Sequence, residues 1–248
     1  MGWFSRKIAK PYVKNVQQSA ANAGGALTYN FSQCLDPVDS VIAKHPVTAD
    51  GICEMLSAKW IEELAYGRSL QGWLSGAGGG IDPSKIRMLM QLFVVGSEMT
   101  SDMMIDARAR GANTRYSGNN TNQTKATANY LRAKGIDLLD NRATFQAWRV
   151  GDKDGGEKIK HGLADAIIEG NATGSNFRTL GIWGAGGGHA MASYKNGVSI
   201  VFFDPNFGEF TFADRNLFKT WFTEQFYPKS FYTKLLGNRY EVYRYVRI

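Results

Sequence analysis

The spacing of the hydrophobic residues changes along the chain, and this change restricts the fold more than any other feature. After Gly51 the apolar residues, among them Ile52, Trp60 and Leu64, recur at the spacing of one helix face. From Phe177 onward the chain instead has short segments rich in β-branched and aromatic residues, separated by turn residues. Helices followed by closely spaced strands predict an α+β fold, with a helical N-terminal part packed against a C-terminal antiparallel β-sheet.

The first 35 residues differ in composition from the rest of the chain. They are polar and carry Arg6, Lys7, Lys10 and Lys14 but no acidic residue. We therefore predict a mobile basic N-terminal arm over residues 1–35. The remaining residues, 36–248, contain no long linker and no solenoid repeat, so we predict that they form one domain.

Several classes of function lack their sequence signals. No run of about 18 apolar residues is present, so we expect no transmembrane helix, and the N-terminal residues lack the apolar core of a secretory signal. The net charge of +7 is scattered without an aromatic–basic pattern, so we expect no nucleic-acid partner and find no support for membrane association. Two cysteines and scattered histidines do not have zinc spacing, and no dinucleotide or Walker motif occurs, so we expect no metal and no cofactor.

A hairpin signal relates a histidine to an acid in the last third. Asn-Gly is the strongest signal for a two-residue turn, and Asn196-Gly197 lies between two strand-like segments. If these two residues form the loop, Lys195 faces Val198 and His189 faces Asp204. Side chains opposed in this way have Cβ atoms roughly 4.5–5.5 Å apart, which suits a hydrogen bond between an imidazole and a carboxylate.

The His189–Asp204 pair has a structural and a catalytic interpretation. It is either an ordinary cross-strand contact or the base half of a nucleophilic triad, in which the acid orients the imidazole. The small residues Gly184 to Gly188 favour the catalytic interpretation, because they leave space for an approaching chain. Pro205 also ends the strand directly after Asp204.

Cys53 is the candidate nucleophile for such a triad. It follows Gly51 in the first turn of the predicted helix, where the helix dipole favours a thiolate. The alternative is a small buried core residue, which is how most free cysteines behave and how we interpret Cys34. His45 and His161 have no acid that the sequence places beside them.

Three stretches of the sequence resemble the motif blocks of the YopT-type cysteine proteases, which include AvrPphB-like avirulence proteases. They are "DGICEMLSAKWI", "GGGHAMASY" and "FFDPNFGEF", and they occur in the order Cys, His, Asp. The resemblance implies a papain-like fold in which Cys53 is the nucleophile, His189 the base and Asp204 the orienting acid.

The resemblance also implies an oxyanion hole made by the backbone N–H of the cysteine and an upstream side-chain amide, typically of asparagine. This chain departs from that pattern, because no Asn or Gln occurs from Cys34 to Ile52. Thr48, Gln33 or Asn30 would have to take its place, and we predict Thr48 together with Cys53.

The resemblance further implies a bacterial effector, secreted into the host cell cytoplasm, that cleaves a host protein through a thioester. The family's substrates are prenylated Rho-type GTPases with polybasic tails and host kinases, and a chain of charge +7 is less suited to the former. We expect a monomer. Two alternatives stay open: deamidation or transglutamination of a host glutamine by the same triad, and a catalytically weak adaptor.

Overall fold

An antiparallel β-sheet of eight strands organises the described part of the chain. The computed structural model describes residues 7–49, 51–109, 126–139, 144–147, 154–169, 177–185 and 187–248. The strands follow the order β1-β7-β6-β5-β4-β8-β2, and β3 also pairs with β8. Their bounds are Ala26–Tyr29 (β1), Ile136–Leu138 (β2), Thr144–Ala147 (β3), Phe177–Gly184 (β4), Gly187–Asn196 (β5), Ser199–Asp204 (β6), Gly208–Phe212 (β7) and Arg239–Arg247 (β8).

Helices cover both faces of this sheet. They are Val13–Asn22 (α1), Val38–Ile42 (α2), Cys53–Ala65 (α3), Leu70–Leu74 (α4), Pro83–Ala109 (α5), 126–132 (α6), Gly155–Ile168 (α7), Arg215–Trp221 (α8), Tyr227–Lys229 (α9) and Tyr232–Leu235 (α10), with a 3₁₀ turn at Lys10–Tyr12 and a π-helical turn at Phe222–Phe226. One hydrophobic core lies between the sheet and α1, α7 and α8. A second core lies on the other face, beneath α2, α3 and α5. The predicted α+β arrangement, with Cys53 at a helix start packed against the sheet, is confirmed. None of the described helices is long and apolar enough to cross a bilayer.

The interpretation of residues 1–35 as a mobile arm is wrong for the part that the structure describes. Helix α1 is polar overall, but Val13, Val16 and Ala20 recur on one side and are buried in the core. Strand β1 pairs with β7 at the edge of the sheet. A few well-spaced apolar residues are therefore enough to dock this segment, although its average composition is that of a disordered chain. Residues 1–6 lie outside the described residues.

The predicted hairpin register is also wrong, by two residues. Asn196 pairs with Ser199, so the loop consists of Gly197, at φ 61°, and Val198. Facing residues are therefore Ser193 with Phe202, and Ala192 with Phe203. Because side chains alternate with a period of two, this shift leaves every residue on its predicted face, and the hydrophobic pattern could not choose between the two registers.

The glycines before His189 make room for the chain's own atoms. A Cβ on Gly188 would lie 2.7 Å from the indole of Trp183, and one on Gly184 would lie 2.2 Å from the backbone oxygen of Leu235. The space beside these two glycines is therefore occupied by the Trp183 side chain and the Leu235 backbone. The prediction that these two glycines leave space for a substrate chain is wrong.

Candidate active site

Cys53 is the first residue of α3, and the backbone before it is shaped by glycine. Gly51 has φ 120°, a conformation that side chains disfavour, and a Cβ there would lie 3.2 Å from Gln33 Oε1. Ile52 holds the N-cap position and has no side-chain oxygen with which to cap the first turn. The helix thus presents a half-buried thiol at its positive end.

His189 and Asp204 form a buried hydrogen bond. His189 Nε2 lies 2.9 Å from Asp204 Oδ1, and the two residues are 4% and 0% exposed. In the register of β5 and β6 they are diagonal rather than direct neighbours, and the pairing itself stops before them, at Ala192 and Phe203. Beyond that point His189 pairs only with β4, and Asp204 only with β7.

Cys53 is the second partner of the imidazole. Its side chain is near enough to contribute to the pKa of His189, and because Nε2 is engaged by Asp204, Nδ1 is the ring nitrogen left for the thiol. Burial alone would lower the pKa of His189, but the charges of Asp204 and Cys53 and their hydrogen bonds outweigh it and raise this pKa from 6.5 to about 10. The imidazole is therefore cationic at neutral pH.

Asp204 is held by donors on both carboxylate oxygens. Besides His189, the backbone N–H of Asn206 donates to Oδ1 at 2.7 Å, and the Tyr232 hydroxyl donates to Oδ2 at 3.0 Å. The Tyr232 ring also packs against the imidazole, with centroids 5.2 Å apart. This arrangement fixes the plane of the carboxylate and shields its bond to His189 from water.

Gln33 is the side-chain amide that the structure places beside the start of α3. Its Oε1 accepts the Ile52 N–H at 3.0 Å, and its Nε2 donates to Asn206 Oδ1 at 2.9 Å. The surrounding loop is bound to the turn after Asp204, because Gln33 N donates to Pro205 O and Ser32 Oγ donates to Asn206 O.

The other oxyanion candidates are engaged elsewhere. The Thr48 hydroxyl donates to the carbonyls of Ile42 and His45 within its own loop, so its only proton is already used. Asn30 accepts from Gln17 at the surface. Gln33 therefore replaces Thr48 as our candidate beside the backbone N–H of Cys53.

The remaining sequence candidates lie outside this cluster or at its edge. His45 and His161 are exposed. Cys34 is buried in the core, with Sγ 3.2 Å from Asn206 Oδ1. Among the described residues, no group of three His, Cys, Asp or Glu side chains converges as a metal site would require.

Sequence reasoning missed Asn206 and Tyr232. Asn206 lies two residues after Asp204, and an asparagine in a tight turn was the available signal. Tyr232 had none, because it reaches Asp204 from a separate helix, α10.

We expect His189 to titrate near pH 10 when its ring signals are followed by NMR. Asp204→Asn should lower this pKa by several units, because the desolvation of the buried ring is then no longer outweighed. Asp214→Asn, which changes a cap at the start of α8, serves as the matched control and should have no effect. An unaltered His189 titration in Asp204→Asn would contradict the assigned cause.

The comparisons with known proteins point to one family. Residues 91–247 match the Peptidase_C58 family, described as "Yersinia/Haemophilus virulence surface antigen". The matched range contains His189 and Asp204 and leaves Cys53 outside. Cysteine protease yopT1 of Yersinia enterocolitica is 31% identical over 230 residues, which is 91% of this chain. This chain spans 65% of the length of that relative.

A second relative is much longer than this chain. The protein adenylyltransferase and cysteine protease IbpA of Histophilus somni is 26% identical over 246 residues, which cover 96% of this chain and 6% of that protein. Among solved structures, the Pseudomonas avirulence protein AvrPphB superposes with a TM-score of 0.49 at 16% identity, covering 81% of this chain and 94% of that one.

Proposed function

Since the chain belongs to the Peptidase_C58 family of YopT-type cysteine proteases, we propose that it is a thiol endopeptidase that cleaves a host protein through Cys53, His189 and Asp204. The observation that carries the proposal is the buried hydrogen bond between His189 and Asp204, with the half-buried Cys53 side chain beside the same imidazole. The relatives named above are described as cysteine proteases, and we extend that activity to this chain.

Acylation begins with the ion pair of Cys53 and His189. The Cys53 sulfur attacks the scissile carbonyl carbon, a C–S bond forms, and the carbonyl π pair moves to the oxygen. The imidazolium then gives its Nδ1 proton to the amide nitrogen, the C–N bond breaks, and the amine leaves a thioester on Cys53. Asp204 keeps the ring oriented and stabilises its positive charge throughout.

Deacylation returns the site to its starting state. His189, now neutral, takes a proton from a water molecule at Nδ1, and the water oxygen attacks the thioester carbon. The C–S bond breaks and the carboxylic acid product leaves the restored ion pair. Since acylation needs the imidazolium, turnover should fall as the pH rises through about 10, where His189 loses its proton.

Gln33 completes the oxyanion hole in this proposal. The oxygen end of its amide is fixed by the Ile52 N–H, and one hydrogen of Nε2 is used by Asn206. The other Nε2 hydrogen has no acceptor among the described residues, and we assign it, with the backbone N–H of Cys53, to the developing oxyanion. The amide thus comes from further upstream than the family pattern implies.

Gln33→Ala should lower kcat by about 10²–10³ with little change in KM, because the lost donor acts on the transition state. Thr48→Val is the matched comparison and should retain most of the activity once the two variants are shown to be equally folded by circular dichroism. The reverse result, with Thr48→Val inactive and Gln33→Ala active, would restore Thr48 to the oxyanion hole.

The biological setting follows from the same relatives. We propose that the chain acts in the cytoplasm of a host cell after secretion from a bacterium, because the matching family is described by virulence. A search for new protein N-termini in host-cell lysate, comparing the wild type with Cys53→Ala, tests the activity. New N-termini that depend on Cys53 support it, whereas intact host proteins with glutamine converted to glutamate would show a deamidase.

A further inference from the structure

A single chain of hydrogen bonds joins the loop before Cys53 to the acid behind His189. Its direction is set at one end, because the backbone N–H of Ile52 can only donate. It donates to Gln33 Oε1, so the NH₂ end of that amide must face Asn206. Gln33 Nε2 donates to Asn206 Oδ1, which in turn directs the NH₂ group of Asn206 away from Gln33.

The same direction continues to Asp204. Asn206 Nδ2 donates to the Tyr232 hydroxyl oxygen at 2.9 Å, so the hydrogen of that hydroxyl is left to donate to Asp204 Oδ2. Burial and the charge of Asp204 raise the pKa of Tyr232 well above its usual value, which keeps this hydroxyl protonated and able to donate. Each donor atom in this series of hydrogen bonds thus has one acceptor.

The network is closed to water and rigidly supported. Gln33, Asn206, Tyr232 and Asp204 are each at most 2% exposed. Phe231, directly before Tyr232, has φ 69°, which is strained for a bulky residue. Its ring is stacked on Tyr12, in the 3₁₀ turn before α1, with centroids 5.3 Å apart, and this contact supports the residue next to Tyr232.

We propose that Asn206 and Tyr232 are positioning residues that hold Gln33 and Asp204 in one fixed mutual orientation. Asn206 orients the Gln33 amide on the oxyanion side, and Tyr232 orients the Asp204 carboxylate on the imidazole side. Neither touches substrate in this assignment. The inference rests on the proposed function, because it gives Gln33 and Asp204 their catalytic roles.

The first test concerns Tyr232 and needs no substrate. Tyr232→Phe keeps the ring and removes the donor to Asp204, so the carboxylate can turn and the NMR-measured pKa of His189 should fall. Tyr66→Phe, which removes an exposed hydrogen bond to Lys134 O, is the matched control and should leave the pKa unchanged.

The second test concerns Asn206 and the oxyanion side. A tripeptide aldehyde, acetyl-Leu-Leu-norleucinal, forms a C–S bond with Cys53, and its former carbonyl oxygen then occupies the oxyanion hole. We expect Asn206→Ala and Gln33→Ala each to weaken the binding of the aldehyde about tenfold to a hundredfold. The double variant should bind the aldehyde no more weakly than Gln33→Ala alone. Asn216→Ala, at an exposed position, should bind like the wild type.

The outcomes distinguish a failure of the proposed function from a failure of the positioning roles of Asn206 and Tyr232. If the wild type forms no aldehyde adduct, the proposed function fails, while the His189 titration still decides the role of Tyr232. If the adduct forms but the losses of Asn206→Ala and Gln33→Ala multiply, Asn206 does not act through Gln33. An unchanged or raised His189 pKa in Tyr232→Phe would overturn the positioning role of Tyr232.

Discussion

Replacing Cys53 with alanine is expected to abolish proteolysis, with a loss of about 10⁶-fold in kcat, while the fold stays intact. The thiol is half-buried at a helix start beside His189, so its removal leaves no nucleophile and creates no large cavity. The measurement is turnover of an identified substrate, accompanied by thermal unfolding of both proteins.

Cys34→Ala is the matched control for this variant. Cys34 is buried in the core, so its loss should lower stability by about 1 kcal/mol and leave measurable turnover. If Cys53→Ala kept wild-type turnover and Cys34→Ala lost it, the nucleophile would have been assigned to the wrong cysteine.

Asp204→Asn is expected to lower kcat by about 10⁴ although the shape of the side chain is retained. The amide is neutral, so it no longer stabilises the imidazolium, and its NH₂ group can face the His189 Nε2–H or the Tyr232 hydroxyl. The hydrogen-bond directions around the site would then conflict.

Non-additivity is the sharper test of this pair. The double variant His189→Ala/Asp204→Ala should have a kcat only slightly below that of His189→Ala alone, because the carboxylate acts through the imidazole ring. Circular dichroism must show equal folding of the variants. If the two losses in kcat multiply as independent effects, the buried contact between His189 and Asp204 has only a structural role.

The sequence predicted the parts of the site that depend on local pattern. The helical spacing after Gly51 placed Cys53 at a helix start, and the alternation of strand residues placed His189 and Asp204 on one face of the sheet. That alternation survives a register error of two residues, so the pair was identified although the predicted turn was wrong.

What the sequence could not show depends on tertiary packing. Composition assigned residues 1–35 to a mobile arm, but a few buried side chains of α1 and the pairing of β1 decide otherwise. The contacts of Gln33, Asn206 and Tyr232 join separate parts of the chain, and no local periodicity reports which buried side chains meet. Thr48 lies nearer to Cys53 in the sequence, whereas Gln33 reaches the start of α3 through tertiary packing.

Covalent capture of the thioester intermediate would identify the nucleophile of the reaction. The wild type is mixed with an intact protein that it has been shown to cleave. The reaction is quenched in acid during turnover, and the enzyme is digested and analysed by mass spectrometry. We predict that the peptide containing Cys53 carries the N-terminal fragment of the substrate as a thioester, and that Asp204→Asn forms this adduct more slowly. Substrate cleavage that proceeds with Cys53 unmodified, or with the fragment attached to Cys34, would contradict this prediction.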